Sequence, residues 1–173
     1  MIGLALKQEG VHAGALVRYL ASSLAVGNIN NPQWWAGPDR GWVEERELGP
    51  AGPVFVIDDA GSESSVHWDQ RTQSFIHVTT YGFGAATVGM RTAPALTGPW
   101  SNPLEVYRPP ELDGPRPFIY GAIAHPEIQG PDPADLIVTY ATNSFEFGDL
   151  FTKNGAKHLY WPRVITLKVG NRH

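Results

Sequence analysis

The sequence contains no cysteine, which excludes disulfide scaffolds and thiolate metal sites and leaves the compartment undecided. It has no cluster of basic residues: 13 Lys and Arg against 17 Asp and Glu give a net charge of −4. Binding to nucleic acid through phosphate neutralisation is therefore not expected. No run approaches the roughly 20 apolar residues that a membrane helix takes. Residues 1–10 carry Lys7 and Glu9 without a long apolar stretch, so no signal peptide and no membrane partner are expected, and the chain reads as soluble. There is no Asn-x-Ser/Thr sequon, no P-loop, no His-Glu-x-x-His and no Gly-x-Ser-x-Gly elbow, and Gly82-x-Gly84 does not continue into a dinucleotide fingerprint.

What is present leans towards strands. Hydrophobic residues make up 42% of the 173 residues, enough for one domain with a real core. The six Trp, six Tyr and seven Phe suit pleated, half-buried surfaces. The 19 Gly and 15 Pro fall between short apolar runs, as turn residues do in a many-stranded fold. An all-β fold of antiparallel sheets with little helix is expected.

Along the chain, residues 11–26 suit either a short helix or a strand around 16–21. Trp34 and Trp35, a turn over 37–41 and the stretch 42–44 read as a hairpin. The segment Gly49-Pro50-Ala51-Gly52-Pro53 is the clearest break, separating an N-terminal part, 1–53, from 54–169 within a single domain. Beyond it, strands are expected at 54–57, 64–68, 74–80, 86–92, 104–107, 118–124, 136–141 and 159–169. Their spacing of about ten residues, with turns between, suits a sandwich, barrel or propeller.

The order of signals between Val54 and Val169 is more specific. Glu63-Ser64-Ser65-Val66 is followed by Thr79-Thr80, Met90-Arg91-Thr92-Ala93 and Gly98-Pro99-Trp100-Ser101. Then come Ala124-His125-Pro126-Glu127, Val138 to Asn143 (Val-Thr-Tyr-Ala-Thr-Asn) and Tyr160-Trp161-Pro162-Arg163-Val164. This order resembles the C-terminal half of bacterial members of the five-bladed β-propeller superfamily that includes arabinofuranosidase- and xylosidase-like glycosidases. The resemblance covers about two-thirds of the chain. It implies a partial propeller of about three blades, since a four-stranded blade takes roughly 40–50 residues. It also implies that the general base, which related glycosidases carry on their first blade, lies outside the matching stretch. Unpaired blade edges would then favour a homo-oligomer.

On this resemblance Glu63, ahead of an inner strand, corresponds to an acid or a sugar-binding carboxylate. Glycosidases need two carboxyl groups across the scissile bond, and Asp58 is the weaker second candidate beside Asp59. The alternative for Glu63 is a side chain that binds amides of its own loop. His125 lies at the end of a strand, where related propellers hold an axial ion or water. The alternative is a buried histidine bonded to a neighbouring carbonyl, and a lone His is a poor metal signal. No cofactor and no metal ligand set is expected beyond that central ion. Glu127 faces the same side if the strand continues past Pro126. Arg91 and Arg163 serve either a ligand or a structural ion pair, and Asn143 either a turn or a ligand. Trp34, Tyr81 and Phe83 are candidates for stacking on a sugar ring, although most Trp are expected in the core. The expected partner is a glycan or small sugar. The function expected is that of a carbohydrate-directed relative of propeller glycosidases, a truncated glycoside hydrolase included, with a non-catalytic carbohydrate-binding or self-assembling module as the alternative. Whether the chain is itself an enzyme is left open by the sequence.

Overall fold

Short apolar runs broken by Gly and Pro can bury one face each only by pairing, and they do so in three antiparallel sheets. The computed structural model describes residues 2–8, 11–114, 118–152 and 159–170. Strands hold 43% of the chain and helices 12%, so the expected predominance of β structure stands. Among the described residues no helix is long and apolar enough to cross a membrane. The chain divides into two compact units, residues 1–60 with 95–100, and residues 61–94 with 101–173.

The first unit holds β1 (Ile2–Gln8), β2 (Val11–Arg18), β3 (Gln33–Trp35), β4 (Trp42–Glu44) and β5 (Phe55–Ile57). They form one sheet in the order β1-β2-β3-β4, with β5 also paired to β2. Residues 11–26, ambiguous in sequence, contain both alternatives: β2 and then a one-turn helix, α1 (Ala21–Ala25). The split follows from burial, since Ala13 to Val17 are buried in β2 and no residue of α1 is. The hairpin of β3 and β4 is as expected, with Trp34 opposite Val43 and Trp35 opposite Trp42. The break at Gly49–Pro53 does not divide the units. Beyond it, Phe55 and Ile57 of β5 pair with Ala15 and Gly14 of β2, which places 54–57 with the N-terminal part.

The second unit holds two sheets. One has the order β6 (Ser64–Asp69), β7 (Ser74–Tyr81), β8 (Thr87–Ala93), β9 (Leu104–Tyr107); the other has β10 (Phe118–His125), β11 (Asp135–Asn143), β12 (Arg163–Lys168). Alternation places Ile76 and Val78 of β7, Val88 of β8, Ile119 and Ala124 of β10, and Val138 of β11 in one core shared by both sheets. On β12, Ile165 and Leu167 pack on that core while Val164 and Lys168 face out. This last strand begins at Arg163 rather than at 159. Tyr160 has a left-handed backbone, φ 69°, and Pro162 brings no N–H to a ladder.

One partly buried polar network crosses this unit. Glu111, in a 3-10 turn (Pro110–Asp113), accepts from the Tyr140 hydroxyl at 3.0 Å and from Arg163 Nε at 3.0 Å. Burial, and then hydrogen bonds with Tyr107 and Glu111, push the Tyr140 phenol well above its usual range. Arg163 is thereby a structural ion-pair partner. Tyr140 is only 2% exposed, so Tyr140→Phe removes a bond that water cannot replace. It is expected to lower the unfolding free energy by about 1 kcal/mol, read from urea or thermal unfolding, with the sheets unchanged by circular dichroism.

Candidate functional site

The placement of side chains in the second unit follows from how β6 and β10 run. Gly121 lies beside Glu63, where an added Cβ would sit 3.0 Å from Glu63 Oε2. The Ala124 N–H donates to Ser65 Oγ at 2.8 Å, and His67 feels the charge of Glu127. These contacts advance together along both strands, so β6 and β10 lie side by side in the same direction. Glu63 marks one end of the pair and His125 the other. Four residues of strand, on the order of 13 Å, separate the level of Glu63 from that of His67.

At the far end His125 is fully engaged. Its Nδ1 is 3.0 Å from Glu127 Oε1 and its Nε2 is 2.8 Å from Thr139 Oγ1. Glu127 accepts only, so Nδ1 carries the proton in the neutral ring and Nε2 accepts from the threonine hydroxyl. Neither nitrogen has a lone pair left for an ion, so this histidine does not fit the central ion that the resemblance implies. Its own backbone N–H, and then the His125 ring, hold the Glu127 carboxyl below its usual range. Nearby, the His67 Nδ1 is buried without a hydrogen-bond partner among the described residues. Burial lowers the His67 pKa, with Asp69 and Glu127 opposing it. Burial also disfavours the Asp69 carboxylate, yet the Arg71 N–H and guanidinium and the Thr72 N–H outweigh this and keep its pKa low. This end is a set of side chains satisfied by one another, except for the His67 Nδ1, which has no hydrogen-bond partner among the described residues.

The Glu63 end is different in kind. The Thr79 hydroxyl donates to the Glu63 carbonyl at 2.8 Å. Gly61, with φ 69°, lies so close to that hydroxyl that no side chain could replace it. The loop is pinned through its backbone, and the Glu63 carboxylate itself is exposed. Beside it the pairing of β10 with β11 slips between Tyr120 and Ile123, around Gly121 with φ 65°. Such a bulge turns neighbouring side chains out of the regular pleat. Phe118 and Tyr120 share a face of β10 by the period of two, and Phe118 pairs with Asn143 on β11. The Asn143 Oδ1 accepts from the Ser144 N–H at 2.8 Å, which leaves its amide nitrogen to donate to the Tyr120 hydroxyl. Partial burial, and then the nearness of Tyr160 and Glu63, raise the Tyr120 pKa.

Aromatic rings extend this end into a platform. Phe118 stacks on Phe145 at 4.6 Å and on Tyr120 at 5.2 Å. Phe83 lies 5.9 Å from Phe118 and 5.8 Å from Phe145. The loop that carries Phe83 is tied to β10 by the Ile119 N–H, which donates to the Gly84 carbonyl at 2.9 Å. Phe83 is 84% exposed and Tyr160 is 65% exposed. The left-handed backbone of Tyr160 is one that an aromatic residue rarely adopts, and its N–H bond to the Thr142 carbonyl at 2.8 Å holds it there.

Of the residues expected from sequence, Glu63 and Asn143 meet at this platform, and His125 and Glu127 meet at the opposite end. Tyr81 and Arg91 are spent on one another: the Tyr81 ring covers Gly89, and Arg91 Nε donates to the Tyr81 hydroxyl at 2.9 Å. Asp58 and Trp34 belong to the first unit. Asp58 is exposed after β5. Trp34 is half-buried, and its indole N–H is enclosed without a hydrogen-bond partner among the described residues. Sequence reasoning missed Phe118, Tyr120, Phe145 and Tyr160. The available signals were Gly121 interrupting an apolar strand and a bare phenylalanine in the polar stretch after Asn143.

Two outcomes test this geometry. Below about pH 6.5 the unfolded chain takes up a proton at His67 more readily than the folded one. Stability therefore falls as pH drops from that value until the folded imidazole is itself charged, and unfolding of a His67→Asn variant should show a flatter dependence over that window. Tyr160→Gly removes a strained backbone at the cost of some unfolded-state entropy. The two effects are each about 1 kcal/mol, so its midpoint of thermal unfolding should match or exceed that of the native chain.

Compared with known proteins, the sequence matches no family model and is similar to no curated protein.

Proposed function

We propose that this chain binds carbohydrate on the platform formed by Phe83, Phe118, Phe145 and Tyr120, with Glu63 and Asn143 beside it. The observation that carries the reading is the ring cluster, with Phe118 stacked on Phe145 and Tyr120, Phe83 tilted against it, Phe83 and Phe145 exposed, and a carboxylate and a carboxamide beside it. Flat apolar faces take up the C–H faces of a pyranose or furanose ring, and the polar groups at the rim give its hydroxyls partners. The two sheets of this unit are, on this reading, consecutive blades of a propeller-like arrangement, with β6 and β10 as their first strands. Supporting it are the common direction of β6 and β10, the order of four and three antiparallel strands, and the resemblance to propeller glycosidases.

Binding is favoured over hydrolysis by the number of acids. Both glycosidase mechanisms use a pair of carboxyl groups about the scissile bond, and among the described residues Glu63 is the single carboxylate acting on Tyr120. A glycosidase built on this platform would take its second carboxylate from elsewhere, and the release of reducing sugar would reveal it.

The test is calorimetric titration of the chain with arabino- and xylo-oligosaccharides and with glucosamine-based oligomers. Phe83→Ala leaves the core untouched, since Phe83 is 84% exposed. Loss of one stacking ring should weaken sugar binding about fivefold, or ~1 kcal/mol, with unfolding unchanged. Absence of binding to every sugar class, or binding indifferent to Phe83→Ala, refutes the reading.

A further inference from the structure

Most acids of the second unit are matched to a donor. Asp69 pairs with Arg71, Glu111 with Arg163, Asp113 with Arg108, Glu127 with His125, and Asp132 and Asp135 with Lys168. Glu63 is an exception at a place where exceptions are informative. Among the described residues no lysine, arginine or histidine stands within ion-pair distance of its carboxylate, and no donor is hydrogen-bonded to it. Beside it lies the backbone of Gly121, and its charge reaches the Tyr120 phenol.

That combination selects the charge of a ligand. A carboxylate can only accept hydrogen bonds. The faces of aromatic rings are negative and draw cations, with the attraction strongest where water is displaced. A glycan bearing carboxylates would be repelled by Glu63 and unaided by the rings. A neutral sugar would gain ordinary hydrogen bonds. A protonated amine on a sugar ring would gain the ion pair, the charge-assisted hydrogen bond and the ring field together, while its own ring stacks on Phe118 or Phe83. The net charge of −4 acts in the same direction at long range.

We propose that the ligand is a glycan carrying free amino groups, a 2-amino-2-deoxy sugar oligomer, with its ammonium group on Glu63. This rests on the carbohydrate-binding reading above, and specifies the charge that reading leaves open.

The experiment compares two oligomers of equal length, one of glucosamine and one of N-acetylglucosamine, by calorimetry at a pH that keeps the amines protonated. The native chain and Glu63→Gln are each titrated with both; Glu63 is exposed and its side chain bonds none of the described residues, so the variant should fold as the native chain does. The native chain should bind the amino form at least about fivefold more tightly, as expected for a charge-assisted bond at a partly open site. That preference should shrink as salt is raised, and Glu63→Gln should bind the two forms alike. Equal binding of both forms by the native chain, or a preference that survives Glu63→Gln, overturns the assignment of the amine to Glu63. In either case the carbohydrate reading stands provided that Phe83→Ala still weakens both. If the native chain binds neither oligomer nor the neutral arabino- and xylo-oligosaccharides, the carbohydrate reading falls and this proposal falls with it.

Discussion

The side-by-side run of β6 and β10 is the constraint on which the second unit depends. Each is the first strand of its own antiparallel sheet, so each has one side without a ladder partner. A buried N–H left there costs roughly 1–3 kcal/mol. The Ser65 hydroxyl answers this by accepting from the Ala124 N–H, where an apolar residue of similar size would leave that donor orphaned. The contact fixes the level of one strand against the other and brings Ile76, Val78, Ile119 and Val138 into a single core. From it follows which residues can meet. Glu63 can reach Tyr120 and Gly121, His67 can sense Glu127, and the two groups lie at opposite ends of the same strands.

Those ends differ in how their polar groups are satisfied. Around His125 nearly every donor has an acceptor within the protein, and the imidazole has no free nitrogen. Around Glu63 the backbone is fixed by Thr79 and Gly61 while the carboxylate is left to solvent. A rigid frame holding an unpaired polar group is the arrangement expected of a surface that meets a ligand, because the cost of ordering that group is met by the fold beforehand. The strained backbone of Tyr160 points the same way, since left-handed aromatic residues persist only where their surroundings impose them.

Much of the strand plan was legible in the sequence because it is local. The stretches 64–68, 74–80, 104–107 and 118–124 carry their own alternation and their own turn residues, and each lies within a residue or two of an observed strand. Asp69 shows how local chemistry closes such a turn: its carboxylate accepts from the N–H groups of Arg71 and Thr72. The failures came from pairing over distance. Gly49–Pro53 is a genuine interruption, but a turn signal does not say which strand the next segment will join, and β5 joins β2. The end of the chain was read as one long strand because Leu159 to Val169 is apolar enough; a left-handed residue and a proline delay it until Arg163.

The candidate site was half legible for the same reason. Glu63 and Asn143 were found because their residue types and local positions suggest chemistry. Phe83 was named alongside Tyr81, but Phe118, Tyr120, Phe145 and Tyr160 were missed, because a platform is a property of residues that only folding assembles. Phe83 follows β7, Phe118 opens β10 and Phe145 follows β11, and no spacing rule links 83, 118 and 145. Tyr81, the last residue of β7, lies on Gly89 and Arg91, whereas Phe83, two residues on and past a glycine, leaves the register of β7 and meets the rings of Phe118 and Phe145. Exposure of an aromatic residue is thus decided at the strand's end: the last side chain in register is taken by the sheet, and the first one beyond it is free to serve a ligand.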